Sequence, residues 1–146
     1  MKKISLICLA LLLSVFTSAF GQKSSDLVGI WQLCNNGTEV RNASEIQPCH
    51  IWKVIYKNKK FCQYWSWNDN NVCTVTHEGT YKFKKNNVYV EHIKSHAFDE
   101  GIVGTETVIN YEFLNDDLVV FTFKLANKDK QYKELWSRVK MDKNLF

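Results

Sequence analysis

The feature that most constrains this chain is a series of short runs rich in β-branched and aromatic residues, separated by polar segments such as KNKK, NDNN, KKNN and NKDK. Runs of this kind are typical of β-strands, whose pleated surface suits these side chains. An isolated glycine, Gly79, interrupts the fourth run and predicts a bulge or bend there. The pattern predicts eight strands, over residues 28–34, 49–56, 61–67, 72–83, 88–93, 105–113, 118–125 and 132–139.

The connections between most of these strands are short, so successive strands should pair as antiparallel hairpins. Eight such strands in about 110 residues suit a small up-and-down barrel, which leaves no open sheet edge. The alternative is a β-sandwich, which needs a long Greek-key crossover that only the loops 35–48 and 94–104 could supply. The predicted fold class is therefore all-β, an eight-stranded antiparallel up-and-down barrel.

The first residues have the features of a secretory signal peptide. A positive start, MKK, precedes an apolar run over residues 4–16, and Ala19 and Gly21 are small residues at the −3 and −1 positions of a cleavage site. We predict a signal peptide over 1–21 and one domain over 22–146; an uncleaved N-terminal anchor is the alternative. No cysteine follows the predicted site, so we expect an exported, periplasmic or extracellular protein that is not a lipoprotein.

The net charge of the chain is small. It contains 19 Lys and Arg against 15 Asp and Glu, and the predicted cleavage removes two lysines, which leaves a charge of +2. Nucleic-acid binding and attraction to an anionic membrane both require a much stronger basic surface. We therefore expect no nucleic-acid partner and no stable membrane anchor.

Four cysteines lie in the predicted domain, at positions 34, 49, 62 and 73. An even number of cysteines in an exported protein favours disulfide bonds, and four cysteines allow three pairings. We predict Cys34–Cys49, which would close the long polar loop, and Cys62–Cys73, across one hairpin. The spacing does not match a zinc site.

No pattern in the sequence indicates catalysis or a cofactor. His92 and His96 would share one face of a helix, but on a predicted strand they lie about 13 Å apart, too far to share a metal ion. The chain has no Ser-His-Asp order, nucleophile elbow or phosphate-binding glycine loop. We expect a protein that is not an enzyme, with no cofactor and no metal.

Two short segments resemble a known superfamily. A G-x-W motif, Gly29 to Trp31, lies on the first predicted strand, and Arg138 lies on the last. This combination resembles the lipocalin and calycin superfamily, in which the tryptophan closes one end of the barrel and the arginine lies over it. The resemblance implies structural roles for Gly29, Trp31 and Arg138. A guanidinium over an indole contributes about 0.5–2 kcal/mol.

Three further segments narrow the resemblance. The segments GTYKF at 79–83, YVEHI at 89–93 and ELWSRV at 134–139 are similar to a family of small exported bacterial lipocalin-like domains with no assigned activity. The resemblance extends over residues 27–139. It implies a lipocalin-like barrel and leaves the ligand open.

Two functions are compatible with these features. The first is a binding protein that holds a small apolar or amphipathic molecule in the barrel interior, although the same aromatic residues could simply fill a core. The candidate ligand-binding residues are aromatic side chains on predicted strands: Trp52, Tyr56, Trp65, Trp67, Tyr81, Phe83, Tyr111 and Phe121. The second is surface recognition of a carbohydrate or a protein, for example as an inhibitor, through exposed aromatics and the 35–48 loop.

The orientation of one tryptophan pair distinguishes the two functions. Alternation along the third strand places Trp65 and Trp67 on the same face as Phe61 and Gln63. We predict that this face points inward, because two tryptophans gain more free energy from burial than the side chains on the opposite face. The sequence does not identify the ligand or the oligomeric state.

Overall fold

Eight β-strands form most of the part of the chain that the computed structural model describes, namely residues 24–35, 43–67, 72–125 and 128–141. Short 3-10 helices lie at Ser24–Leu27, Ala43–Glu45 and Glu100–Ile102. No helix within these ranges is long and apolar enough to cross a membrane. The predicted signal peptide lies outside the described residues. The strands are β1 Gly29–Cys34, β2 Pro48–Ile55, β3 Lys60–Trp67, β4 Val72–Lys84, β5 Val88–His96, β6 Glu106–Asn115, β7 Leu118–Lys124 and β8 Gln131–Arg138.

The strands close into a barrel in which each pairs with the next along the chain. Closure is made by antiparallel pairing of β1 with β8, where Trp31 lies opposite Arg138 and Leu33 lies opposite Trp136. The predicted all-β, eight-stranded antiparallel barrel is thus confirmed. The sandwich alternative is wrong, because sequential pairing all the way round requires no crossover.

Two of the four register shifts in the barrel lie in the pairings of β4, and the other two lie in the β1–β2 and β6–β7 pairings. Pairing between β3 and β4 shifts after Gln63, and pairing between β4 and β5 shifts beside Gly79. A Cβ atom on Gly79 would lie 2.0 Å from the carbonyl oxygen of His92, so only glycine fits. Beyond this second bulge, His96 pairs with His77. Because each bulge adds a residue to one strand, it changes the face that the following side chains occupy.

One end of the barrel is closed by Trp31, which is fully buried. Its indole Nε1 donates to the carbonyl oxygen of Leu27 at 2.8 Å, and the Arg138 guanidinium lies 4.2 Å from the ring centroid. Arg138 also donates through Nη2 to the Asp26 carbonyl at 2.6 Å. Gly29 has φ +148°, and a Cβ there would lie 3.0 Å from Nη1 of Arg138. The first 3-10 helix, β1 and β8 are therefore joined at this end.

The interior of the barrel is filled in the half next to Trp31. Tyr81 and Tyr111 are each 5% exposed, and Phe83 packs against the same cluster. These three residues, which were candidates for ligand binding, form part of the packed core. The buried core continues from this half toward the other end of the barrel and consists of Leu27, Trp31, Ile55, Phe61, Tyr81, Tyr89, Ile93, Ile102, Ile109, Tyr111, Val119, Phe121 and Trp136.

Neither predicted disulfide is formed in this structure, in which Cys34, Cys49, Cys62 and Cys73 are free thiols. Cys73 lies opposite Ser66, four residues along β3 from Cys62. Four residues of strand span about 13 Å, whereas a disulfide requires Cα atoms about 4.4–6.8 Å apart. Cys34 lies opposite Pro48 and is thus close to Cys49. Burial raises the pKa of Cys49, and the neighbouring Cys34 raises it further.

Candidate functional site

A cavity of about 350 Å³ remains in the half of the barrel away from Trp31. The β5–β6 connection borders it through Phe98, Asp99 and Ile102, and Leu125 borders it after β7. This volume lies within the range of small-molecule sites, which are concave and mostly apolar with a few polar groups. Apolar side chains from four strands form its walls: Ile51, Ile93, Ile109, Phe121 and Phe123.

An ion pair lies in the cavity between two inward-facing residues of β2 and β5. The Lys53 Nζ lies 2.7 Å from Glu91 Oε1, and the two residues are only 4% and 2% exposed. The ammonium also lies 5.5–5.8 Å from the ring centroids of Phe61, Phe121 and Trp136. Charges this deeply buried require partners, and the carboxylate and the three aromatic rings supply them. We call Lys53, Glu91 and the adjacent Glu134 the charged floor of the cavity.

Glu134 is the second carboxylate of the charged floor. It projects inward from β8 opposite Phe121, and its Oε2 accepts a hydrogen bond from Trp136 Nε1 at 3.0 Å. Burial raises the pKa of Glu134, and the charge of Glu91 adds to this, while Lys53 and the indole N–H act in the opposite direction. Within the described part of the chain, its Oε1 receives no hydrogen bond. Glu134 is therefore a cavity-lining carboxyl group with one oxygen available to a ligand.

Two histidines stack above the charged floor. The ring centroids of His77 and His96 are 5.3 Å apart, and the angle between the ring planes is 20°. His77 Nε2 lies 3.9 Å from Glu91 Oε2. The pKa of His77 is lowered to about 3, mainly by burial and then by Lys53 and His96. His77 is thus neutral near pH 7. His96 accepts through Nδ1 from the backbone N–H groups of Phe98 and Asp99, which fixes its ring.

The low pKa of His77 predicts a loss of stability in mild acid. Below its ordinary pKa near 6.5, the unfolded chain takes up a proton that the folded protein does not bind until about pH 3. The free energy of unfolding should therefore fall as the pH falls through this window, by about 2 kcal/mol at pH 5. Urea denaturation at pH 7.5 and pH 5 should show this loss in the wild type and not in His77→Gln.

The control for this pH effect is His50→Gln, which removes an exposed histidine. It should keep the pH dependence of the wild type. An equal loss of stability in wild type and His77→Gln would show that another group is responsible.

Three exposed aromatic side chains, which we call the aromatic rim, lie at the mouth of the cavity. Trp65, Trp67 and Phe98 are 42%, 38% and 60% exposed. The ring centroids are 5.2 Å apart for the two tryptophans and 6.0 Å apart for Trp65 and Phe98, both edge to face. Trp65 lines the cavity together with Gln63. Of the two tryptophans expected to point inward, Trp65 therefore borders the cavity while remaining partly open to solvent, whereas Trp67 contacts Trp65 and does not line the cavity.

Two of the candidate ligand-binding residues lie away from the cavity, so their assignment to the interior is wrong. Trp52 is on the outer face, because Ile51 and Lys53 on either side of it point inward. Tyr56 follows β2, is 40% exposed and lines an outer groove of about 390 Å³ between β3 and β4. Of the eight candidates, only Trp65 and Phe121 line the cavity, with Trp67 beside them at the rim.

The three residues of the charged floor are not among the site residues predicted from the sequence, although the sequence contains a pattern that indicates them. Lys53, Glu91 and Glu134 each occupy the centre of a segment whose positions two residues before and after are apolar or aromatic: IWKVI, YVEHI and YKELW. In a strand these positions share one face. A charge at the centre of such a segment indicates a buried polar site when a second strand offers the opposite charge.

The histidines considered as metal ligands do not meet. His92 pairs with Thr80 and Glu106, while His96, beyond the bulge, lies next to the cavity. Among the described residues, no group of three or more His, Cys, Asp or Glu side chains is arranged to hold a metal ion. The cavity is accordingly defined by its apolar walls, its charged floor and its aromatic rim.

Comparison with known proteins assigns the chain to a family of unknown function. No curated protein matches the chain. A family model described as a domain of unknown function, DUF4488, matches residues 26–145, which include every strand of the barrel. Because the match covers most of the 146-residue chain, the protein belongs to the DUF4488 family.

Proposed function

We propose that this protein is an exported, non-enzymatic binding protein that holds a small amphipathic molecule in the open half of its barrel. The observation that carries the proposal is the cavity of about 350 Å³, with apolar walls above a charged floor. A wholly apolar ligand would leave Glu134 without a partner for its second oxygen, whereas an amphipathic one can satisfy it. Its apolar part would pack against Ile93, Ile109 and Phe123.

The size of the cavity limits the ligand. At about 30 Å³ for each water-sized group, the cavity holds roughly a dozen non-hydrogen atoms. A longer molecule would extend past Trp65 onto the rest of the aromatic rim. Medium-chain amphiphiles and single-ring or two-ring aromatic compounds therefore fit, and long-chain lipids would have to protrude.

Other features support the wider proposal. The closed eight-stranded barrel, with Arg138 over the Trp31 indole, has the features that the resemblance to lipocalin-like domains implies. Export rests on the signal-peptide pattern of the first 21 residues. The proposal assigns no catalytic residue and includes neither nucleic acid nor a membrane anchor among the partners.

A tryptophan placed in the cavity wall tests the proposal. Thr107 is 6% exposed and lines the cavity, so Thr107→Trp should fill part of it. We expect the affinity for 1-decanol, measured by isothermal titration calorimetry, to fall at least about tenfold, since the ligand and the indole compete for one space.

The next residue provides a matched control. Val108 lies on the outer face and is 47% exposed, so Val108→Trp adds the same side chain outside the barrel. This variant should bind 1-decanol as the wild type does, and melting temperatures of both variants check folding. Wild-type affinity in a folded Thr107→Trp variant would contradict a site in the cavity.

The aromatic rim favours surface recognition as a second candidate function. Three exposed aromatic side chains in mutual contact could stack on a sugar ring or contact a protein partner. Carbohydrate or protein binding that persists in the Thr107→Trp variant would favour this function over binding within the cavity.

A further inference from the structure

The charged floor contains two carboxyl groups, those of Glu91 and Glu134, and one ammonium group. Lys53 is the only lysine or arginine that lines the cavity within the described residues, and it already pairs with Glu91 at 2.7 Å. In the part of the chain that the structure describes, the second carboxyl group, that of Glu134, makes no ion pair, although the charge of Lys53 acts on it from a greater distance. His77, whose Nε2 lies 3.9 Å from Glu91 Oε2, is neutral near pH 7 and adds no positive charge.

Lys53 is poorly placed to bind an anionic ligand. Its ammonium is held by Glu91 and surrounded by the rings of Phe61, Phe121 and Trp136 at 5.5–5.8 Å. Only 4% of the residue is exposed. An anion in the cavity would have to displace Glu91 from Lys53 and would also be repelled by Glu134.

Glu134 is well placed to bind a cation. Its Oε2 is fixed by the Trp136 indole, and its Oε1 borders the cavity without a hydrogen bond from the described residues. The side chains of Gln63 and Thr107 line the same space and can accept further hydrogen bonds. Burial penalises the charged form of Glu134, and a bound cation would offset that penalty.

We infer that the cavity selects amphipathic ligands that carry a protonated amine, which donates a charge-assisted hydrogen bond to Glu134 while the apolar part packs against the cavity walls. This inference rests on the proposed function and names the chemical class of its ligand. Lys53 and Glu91 bind each other, so that Glu134 is the carboxyl group of the floor that is left to bind the amine.

Three probes of equal chain length test the inference. Decylamine, 1-decanol and decanoate share the same apolar chain and differ in the charge of the head group. Titration calorimetry at pH 7 should show that decylamine binds at least about tenfold more tightly than 1-decanol, a ratio that corresponds to ~1.4 kcal/mol. Decanoate should bind more weakly than 1-decanol.

Substitution of the carboxyl group assigns the preference to one residue. Glu134→Gln keeps the size of the side chain and an oxygen for the Trp136 indole, and it should bring the affinity ratio of decylamine to 1-decanol close to one. Glu112→Gln makes the same change at an exposed position of β6 and should leave the ratio unchanged. Melting temperatures establish whether both variants are folded. If Glu134→Gln does not fold, the relative affinities of the three probes for the wild type test the inference.

The outcomes separate this inference from the proposed function. If 1-decanol binds in the cavity but decylamine binds no more tightly, or if Glu134→Gln retains the preference, the inference is overturned and the binding function stands. If decanoate binds most tightly, Lys53 rather than Glu134 recognises the head group. If none of the three probes binds, the proposed function itself is contradicted, and the inference fails with it.

Discussion

Replacing Trp31 by alanine will lower the free energy of unfolding by about 3–5 kcal/mol, the range for truncating a buried aromatic side chain. Trp31 is fully buried and donates a hydrogen bond to Leu27 at 2.8 Å. The substitution also removes the cation–π contact of Arg138, whose guanidinium carbon lies 4.2 Å from the centroid of the Trp31 ring. The loss should be large because the indole fills the end of the barrel, where the 3-10 helix, β1 and β8 meet.

The matched control for this variant is Trp52→Ala on the outer face of β2. Trp52 is only partly buried and lies outside the packed core, so this change should cost much less than Trp31→Ala. Urea denaturation followed by circular dichroism measures both. Similar losses for the two tryptophans would mean that Trp31 does not have the special structural role that its position implies.

The second large effect concerns the buried ion pair. Lys53→Met should lower the free energy of unfolding by about 3–5 kcal/mol, because it leaves Glu91 buried without its cation. Equilibrium denaturation in urea at pH 7 provides the measurement.

The double variant Lys53→Met/Glu91→Leu shows whether the loss of stability in Lys53→Met comes from the unpaired Glu91 or from lost packing of the lysine side chain. Both charges are then replaced by apolar side chains, and a buried pair replaced in this way often costs little stability. We expect the double variant to be more stable than Lys53→Met alone, a strongly non-additive result for two residues in contact. Additive losses would show that the two side chains contribute independently and that their contact at 2.7 Å stabilises little.

These two predictions concern different halves of one barrel. The half next to Trp31 is filled by aromatic and aliphatic side chains, and it provides much of the hydrophobic stabilisation of the fold. The other half contains the cavity, the charged floor and the aromatic rim. Buried charges in that half reduce stability relative to an apolar core of the same shape.

The strands could be predicted from the sequence because their signals are local. Alternating apolar residues and short polar turns place each of the eight strands within three residues of its observed ends. The short connections leave sequential antiparallel pairing as the simplest arrangement, and the barrel follows from that pairing. The bulge beside Gly79 could also be predicted, because a glycine within a strand indicates a bulge or a close backbone approach.

The faces of the strands were harder to predict than the strands themselves. In β2, neighbouring side chains point to opposite faces. Hydrophobicity alone would predict that Trp52 points into the barrel and that Lys53 points out to solvent. The observed orientation is the reverse, because Glu91 on β5 pairs with Lys53 inside the barrel. The register of β3 with β4 likewise separates Cys62 from Cys73 by four residues of strand, although both cysteines belong to one hairpin.

The fold class, the number and order of the strands and the candidate Trp31–Arg138 pair could all be predicted from the amino-acid sequence. The three-dimensional structure was needed to show which half of the barrel is filled, which charges meet in the cavity and which tryptophans reach it. The physical reason is that strand formation depends on neighbours in the chain, whereas the site depends on residues far apart in sequence. Lys53, Glu91 and Glu134 come together only because the closed barrel and its bulges place β2, β5 and β8 around one space.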